Sequence, residues 1–251
     1  MILIDTDNAM GSRRGTVDDA FAIAALLRGG ADVAAISATA GNTSELLSYV
    51  NTQALCRAAG REVPLLRAAE ARERARTFTG RIAALGPLTN LVEASRAQEI
   101  AIVGGNLTSA GTQPPFWPHE FNLTRDRDAA HRVFELPVPL TIFPLDVCRR
   151  LSIRERDLDA IPGALGRYMR RESRRWFRHL LLVRRTRRFA IHDLAAALYL
   201  LDPTGFELAT AQAWMRRNTY IEFDVGNREV QVCVALDRDV LWERFVALMG
   251  E

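Results

Sequence analysis

The chain contains no lysine: all 33 basic residues are arginine, set against 30 acidic ones, for a net charge of +3 and a pI near 9.0. A skew that complete reflects codon bias more than function. No recognition motif or regular aromatic interleaving accompanies the arginines, so nucleic acid is not an expected partner. Cysteine is scarce. Cys56, Cys148 and Cys233 are odd in number, far apart and without metal-ligand spacing, which argues against a disulfide framework or a zinc site and points to reduced cytosolic (cytoplasmic) thiols. No apolar run is long enough to span a membrane, and Met1 leads directly into a strand pattern, so neither a membrane partner nor a signal peptide is expected. Internal repeats, low-complexity tracts and linkers are also missing. The 251 residues, 48% hydrophobic and 25% charged, therefore read as a single globular domain spanning 1–251.

What is present is an alternation of strand and helix patterns. Strands are expected near Ile2–Asp5, Val33–Ala38, Thr79–Ala84, Ile100–Val103 and Val138–Ile142. Helices are expected over Val17–Arg28, Ser44–Ala59, Leu88–Ser95, Asp126–Phe134, Asp193–Leu201 and Leu241–Met249. From Leu165 to Arg187 apolar residues recur at helical spacing with arginines on the other face, an amphipathic surface helix. Tyr220–Phe223 and Val230–Ala235 read as a late hairpin around Gly226-Asn227. The order implies an α/β fold with a mainly parallel central sheet flanked by helices.

Four carboxylates crowd the N-terminus: Asp5 and Asp7 at the end of the first strand, Asp18 and Asp19 at the start of an apolar helix. Helix-dipole stabilisation accounts for Asp18 and Asp19 alone. A cation beyond the carboxyl edge of the sheet, where open α/β sheets bind ligands, accounts for all four. Oxygen ligands with no cysteine or histidine nearby favour a hard divalent ion, calcium or magnesium.

Further segments extend the pattern: Ala40-Gly41-Asn42, Leu85-Gly86-Pro87-Leu88-Thr89-Asn90, Val103-Gly104-Gly105, Glu120-Phe121-Asn122 with Asp126 and Ala129-Ala130, Pro144-Leu145-Asp146-Val147, and His192-Asp193 before Leu201-Asp202-Pro203. Taken in order with Asp5-Thr6-Asp7 and Asp18-Asp19, they resemble the nucleoside hydrolase family of the inosine–uridine type. That resemblance implies a nucleoside hydrolase-like open α/β fold and a calcium-dependent N-ribohydrolase. Its substrate would be a small-molecule nucleoside or nucleotide, cleaved to free base and ribose by calcium-bound water, and the chain would assemble as a homodimer or homotetramer.

The resemblance also implies roles. Asp7, Asp19, Asp193 and the carbonyl of Leu85 would hold Ca2+, with Asp7 also the general base. Asp18, Asn42, Glu120, Phe121 and Asn122 would bind substrate, and Asp5 would support the cluster from behind. His192 would assist departure of the base, because an imidazole donates a proton near neutral pH. His119, His131 and His179 read as structural.

The chain departs from the family pattern in places. Ten residues separate Asp7 from Asp18 where the family has three, and this Asn8–Val17 insertion carries Arg13 and Arg14, candidate contacts to a substrate phosphate. Its plainer reading is a solvent-exposed loop. The Val63–Gly86 interval is short, and the asparagine that precedes the Glu-Phe-Asn block in the family is absent. The Gly111–His119 loop carries Phe116 and Trp117, which suit stacking on a base or plain loop packing equally. Asp5-Thr6-Asp7 also resembles the opening of haloacid dehalogenase-type phosphatases, a reading that leaves His192-Asp193 and Glu120-Phe121-Asn122 without roles. A non-catalytic ribose-binding relative is the third alternative.

Overall fold

The computed structural model describes residues 1–12, 15–107 and 121–250. Its first half alternates β1 (Ile2–Thr6), α1 (Asp18–Arg28), β2 (Val33–Ala38), α2 (Glu45–Ala58), β3 (Leu65–Arg67), α3 (Ala68–Thr77), β4 (Arg81–Ala84) and β5 (Glu99–Val103). Then come α4 (Phe121–Arg125), α5 (Arg127–Glu135), β6 (Leu140–Phe143), α6 (Leu145–Cys148), β7 (Ser152–Ile153), α7 (Gly163–Val183), β8 (Phe189–Ala190) and α8 (His192–Leu201). The chain closes with β9 (Phe206–Met215), β10 (Ile221–Phe223), β11 (Arg228–Leu236) and α9 (Arg238–Gly250).

The central sheet runs β10-β9-β11-β6-β5-β4-β1-β2-β3, parallel from β11 to β3 and antiparallel where β9 pairs with β11 and β10. β1 lies between β2 and β4, and its residues alternate between two cores: Ile2 and Ile4 join one, Leu3 the other. A strand buried on both faces has to be apolar throughout, which is why Ile-Leu-Ile reads as a continuous run. The first core holds α1, whose Ala20 to Leu27 are all fully buried, with Phe21 against Phe245 of α9 at 5.6 Å between ring centroids. The second gathers α5 and the segment after β4 on the opposite face.

Three expectations need correction. Leu88–Ser95 is no α-helix: a 3-10 turn over Leu88–Asn90 passes into further tight turns, with Leu91 N–H donating to Leu88 and Ala94 N–H to Leu91. The buried residues Leu88, Leu91, Ala94 and Ala97 recur every three positions, the period of 3-10 geometry rather than 3.6. The late hairpin is also paired differently. β10 and β11 lie on opposite edges of β9, where Ala213 faces Phe223 on one side and Arg228 on the other. Gly226 carries the chain across that strand: a Cβ there would sit 2.7 Å from the Ala213 carbonyl oxygen, and its φ of +87° suits glycine. Finally, the described part of the insertion, 8–12 and 15–17, is not a solvated loop. Asn8, Ala9, Met10 and Val17 are buried, and Asn8 donates to Thr52 while Asn51 of α2 donates to the Asn8 carbonyl. Within the short Val63–Gly86 interval the chain fits β3, α3 and β4.

Candidate active site and metal centre

The parallel strands deliver their loops to one edge. β1 runs into Asp7, β2 into Ala40-Gly41-Asn42 and β4 into Leu85-Gly86. Thr39 N–H donates to the Thr6 carbonyl and Leu85 N–H to that of Asp5, so the three strand ends are tied together. α1 and α8, packed against each other within the first core, open at this edge with Asp18-Asp19 and His192-Asp193.

Asp18, Asp19 and Asp193 are buried and each offers a carboxylate oxygen, all within 4.8 Å of one another. Asp7 lies beside them. Its Oδ2 accepts the Asn42 backbone N–H at 2.5 Å, and Gly41 presses so close that a Cβ would fall 2.0 Å from Oδ2. Thr6 donates its hydroxyl to Asp19 Oδ1 at 2.5 Å, and Asp5 Oδ1 accepts from Ser37 and Asn90 at 2.5 and 2.9 Å. The opposite oxygens tell the other half. Asp5 Oδ2, Asp7 Oδ1, Asp18 Oδ1 and Asp19 Oδ2 are buried with no hydrogen-bond partner among the described residues.

Burial without partners disfavours the ionised form. Asp5 is pushed up to about 7, chiefly by burial, against donation from Ser37 and Asn90. Asp7 rises to about 6, again by burial first, with the Asn42 N–H pulling the other way and Asp18 adding repulsion. Asp19 stands well above the usual carboxylate range through burial and the charges of Asp7 and Asp18. Such a cluster would be costly to keep in a folded protein without a positive charge at its centre, and all-oxygen donors suit a hard cation. The residues therefore fit a divalent metal.

His192 Nδ1 lies 3.5 Å from Asp18 Oδ2, joining the imidazole to the cluster. Asn122 Nδ2 donates to the Leu85 carbonyl at 2.8 Å, so the carbonyl expected as a metal ligand is engaged on one side. Phe121 is 46% exposed at the start of α4. Asp126 caps α5 and accepts from Thr89 at 2.7 Å, and Asp146 accepts the Leu107 N–H at 2.9 Å, structural duties for two motif acids. Arg13, Arg14, Glu120 and the Gly111–His119 loop lie outside the described residues.

The chain has counterparts among known proteins. The family of inosine-uridine preferring nucleoside hydrolases matches residues 70–243, more than half of the chain. The chain belongs to that family. Members of it are metal-dependent N-glycosidases, so this hydrolase is an enzyme acting on a small-molecule nucleoside. Its fold agrees. A plant nucleoside hydrolase, PpNRh1, superposes with a TM-score of 0.80 at 20% identity, covering 99% of this chain and 98% of that one. A purine-preferring ribonucleoside hydrolase from Gardnerella vaginalis (TM-score 0.79, 15% identity) and an inosine-guanosine nucleoside hydrolase (0.79, 17%) cover the same shares. No curated protein matches the sequence. Neither the family nor these folds favours a phosphatase of the haloacid dehalogenase type.

Sequence reasoning passed over the residues that hold the acids in place. Thr6, Ser37 and Asn90 donate to them, and Gly41 and Gly86 make room for Asp7. Asn90, Gly41 and Gly86 stand inside motifs already noticed. Ser37 carries no signal, because a serine in a buried strand becomes informative only once its neighbour across the sheet, Asp5, is known.

Proposed function

We propose that this hydrolase cleaves the N-glycosidic bond of a ribonucleoside to free base and ribose with calcium as its cation. The observation that carries the reading is the convergence of buried carboxylates from β1, α1 and α8 beside His192, with Asp7, Asp18 and Asp19 each keeping one buried oxygen that has no hydrogen-bond partner among the described residues. Asp7, Asp19 and Asp193, with the Leu85 carbonyl, would hold the ion, and Asp18 stands within the same group of oxygens. When bound, calcium would supply acidification of a water and a grip on the ribose hydroxyls.

Asp7 then acts as general base toward the attacking water, its position fixed by the Asn42 N–H and by Gly41. Asp18 and Asn42 hydrogen-bond the sugar hydroxyls, Glu120 and Asn122 would hold the sugar's far side, and Phe121 would also contact the substrate. Asp18 also faces His192 Nδ1 and so orients the imidazole that hands a proton to the departing base. Asp5 braces β1 from behind through Ser37 and Asn90. Arg13 and Arg14 would extend the substrate range to 5′-phosphorylated nucleosides. We take residues 1–251 as one domain, acting as a homodimer or homotetramer in the cytosol, where three buried free thiols stay reduced.

A chromatographic screen of nucleosides and their 5′-monophosphates, read as free base, tests the reading. Base release that stops on chelation and returns with calcium is expected. Saturable nucleoside binding with no base released would instead assign the chain to the non-catalytic alternative.

A further inference from the structure

A second concavity lies away from the carboxylate cluster, none of whose acids lines it. This cleft, of about 860 Å3, is bounded by one face of α7, the 3-10 segment Glu155–Ala160 and the stretch before β8. Arg154, Arg156, Arg170, Arg174, Arg187 and Arg188 line it against only two acids, Glu155 and Asp159. Those acids do not neutralise it. Among the described residues, Arg154, Arg170, Arg174, Arg187 and Arg188 form no ion pair, and Arg156 reaches only Asp157, at 3.9 Å. Arg170 is held in place by donating to the Leu158 and Ile161 carbonyls at 2.7 and 2.9 Å, which fixes one guanidinium at the wall. Between the arginines lie Phe177, almost fully buried, and Leu181, 47% exposed.

Like charges drawn from three chain segments into one concavity repel each other unless a counter-charge sits among them. Guanidinium forks match phosphate oxygens in pairs, more closely than they match any monovalent ion. The volume falls within the range of small-molecule sites, roughly 300–1,000 Å3. An apolar floor inside a cationic rim suits a molecule with an anionic end and a flat apolar body. A long single strand would call instead for an open groove tracking a backbone with several stacking aromatics. We propose that this cleft is a second binding site, for a small organic polyphosphate of the nucleotide class, with its phosphates on the arginines and its ring over Phe177 and Leu181.

Calorimetric titration of the full chain with pyrophosphate and with ADP, at low salt and with a chelator present to keep the ribose site metal-free, tests the assignment. Both probes should bind, ADP more tightly, and both should lose affinity as salt rises. The exposed pair Arg174→Gln, Arg188→Gln should weaken binding by at least about 10-fold while leaving the thermal transition unchanged. Arg72→Gln, Arg96→Gln, an equally exposed pair elsewhere, removes the same charge and should leave binding intact. No binding of either probe at millimolar concentration, or equal losses in the two double variants, overturns the proposal. Equal affinity for pyrophosphate and ADP overturns the role given to Phe177 and Leu181. An RNA oligonucleotide that binds through Arg174 and Arg188 while both small probes fail reassigns the cleft to nucleic acid and refutes the small ligand.

Discussion

Replacing Gly41 by alanine perturbs the site by a single methyl group. Gly41 has no left-handed backbone angle, so alanine strains nothing there; the whole effect is steric. The new Cβ would stand 2.0 Å from Asp7 Oδ2, 2.8 Å from its Cγ and 2.9 Å from Pro87 Cδ. An ordinary contact requires about 1.4 Å of retreat by the carboxylate, and the buried Asp7 also loses its hydrogen bond from Asn42. Overpacking of this kind costs about 1–3 kcal/mol of stability, and for a chain this long each kcal/mol lowers Tm by roughly 2–4 °C. The effect on turnover should be larger than the effect on folding. A displacement of about 1 Å at a reacting group lowers the rate by roughly 100-fold, so kcat/KM should fall at least that far while the protein remains folded at 25 °C. Steady-state base release and a thermal melt on the same preparation measure both. Activity within a few-fold of wild type would refute the placing of Asp7 at the reaction centre.

Other predictions follow from the same contacts. Asp5, Asp7 and Asp19 all have folded-state pKa values above the ordinary 3.8, so the folded chain holds protons that the unfolded chain has released, and stability falls as pH rises through about 6 to 7. Chelated protein should therefore melt higher at pH 5 than at pH 8, with added calcium stabilising most at pH 8; a flat profile by calorimetry contradicts this. Thr6→Val removes the hydroxyl that orients Asp19 and should weaken calcium binding by roughly 10-fold without changing the fold, as read by metal titration and circular dichroism. His192→Ala should lower kcat by about 100- to 10,000-fold on a nucleoside and spare a nitrophenyl riboside, whose leaving group needs no proton; equal losses would give His192 a purely positional role. Phe21→Ala opens a cavity between α1 and α9 and should cost about 3–5 kcal/mol in denaturant unfolding.

Much of the fold was readable because buried parallel strands are apolar without interruption. β1, β2, β5 and β6 fall within two residues of their expected places. β3 and β9 escaped notice for a physical reason: both lie toward the sheet's margins, where burial is partial and the pattern blurs, as in the mixed exposure of Phe-Glu-Leu-Ala-Thr-Ala-Gln-Ala-Trp-Met. With β9 unseen, β10 and β11 looked like each other's partners, and Gly226 looked like a hairpin turn rather than a crossing over β9. At the site, the acids announced themselves through spacing. What orients them did not, since Thr6, Ser37 and Asn90 meet Asp19 and Asp5 only through the fold. The burial of the insertion's described part was hidden for a related reason: it depends on Ala9 and Met10 reaching the core and on Asn8 finding partners on α2, contacts that only the fold supplies.

Whether the carboxylates form a catalytic cation site comes down to one titration: calcium added stepwise to chelator-stripped enzyme, with bound metal and base release followed together. One ion per chain should bind, activity should rise in proportion to occupancy, and Asp193→Asn should lose both. Full turnover by metal-free enzyme, or calcium binding that leaves base release unchanged, would contradict the assignment.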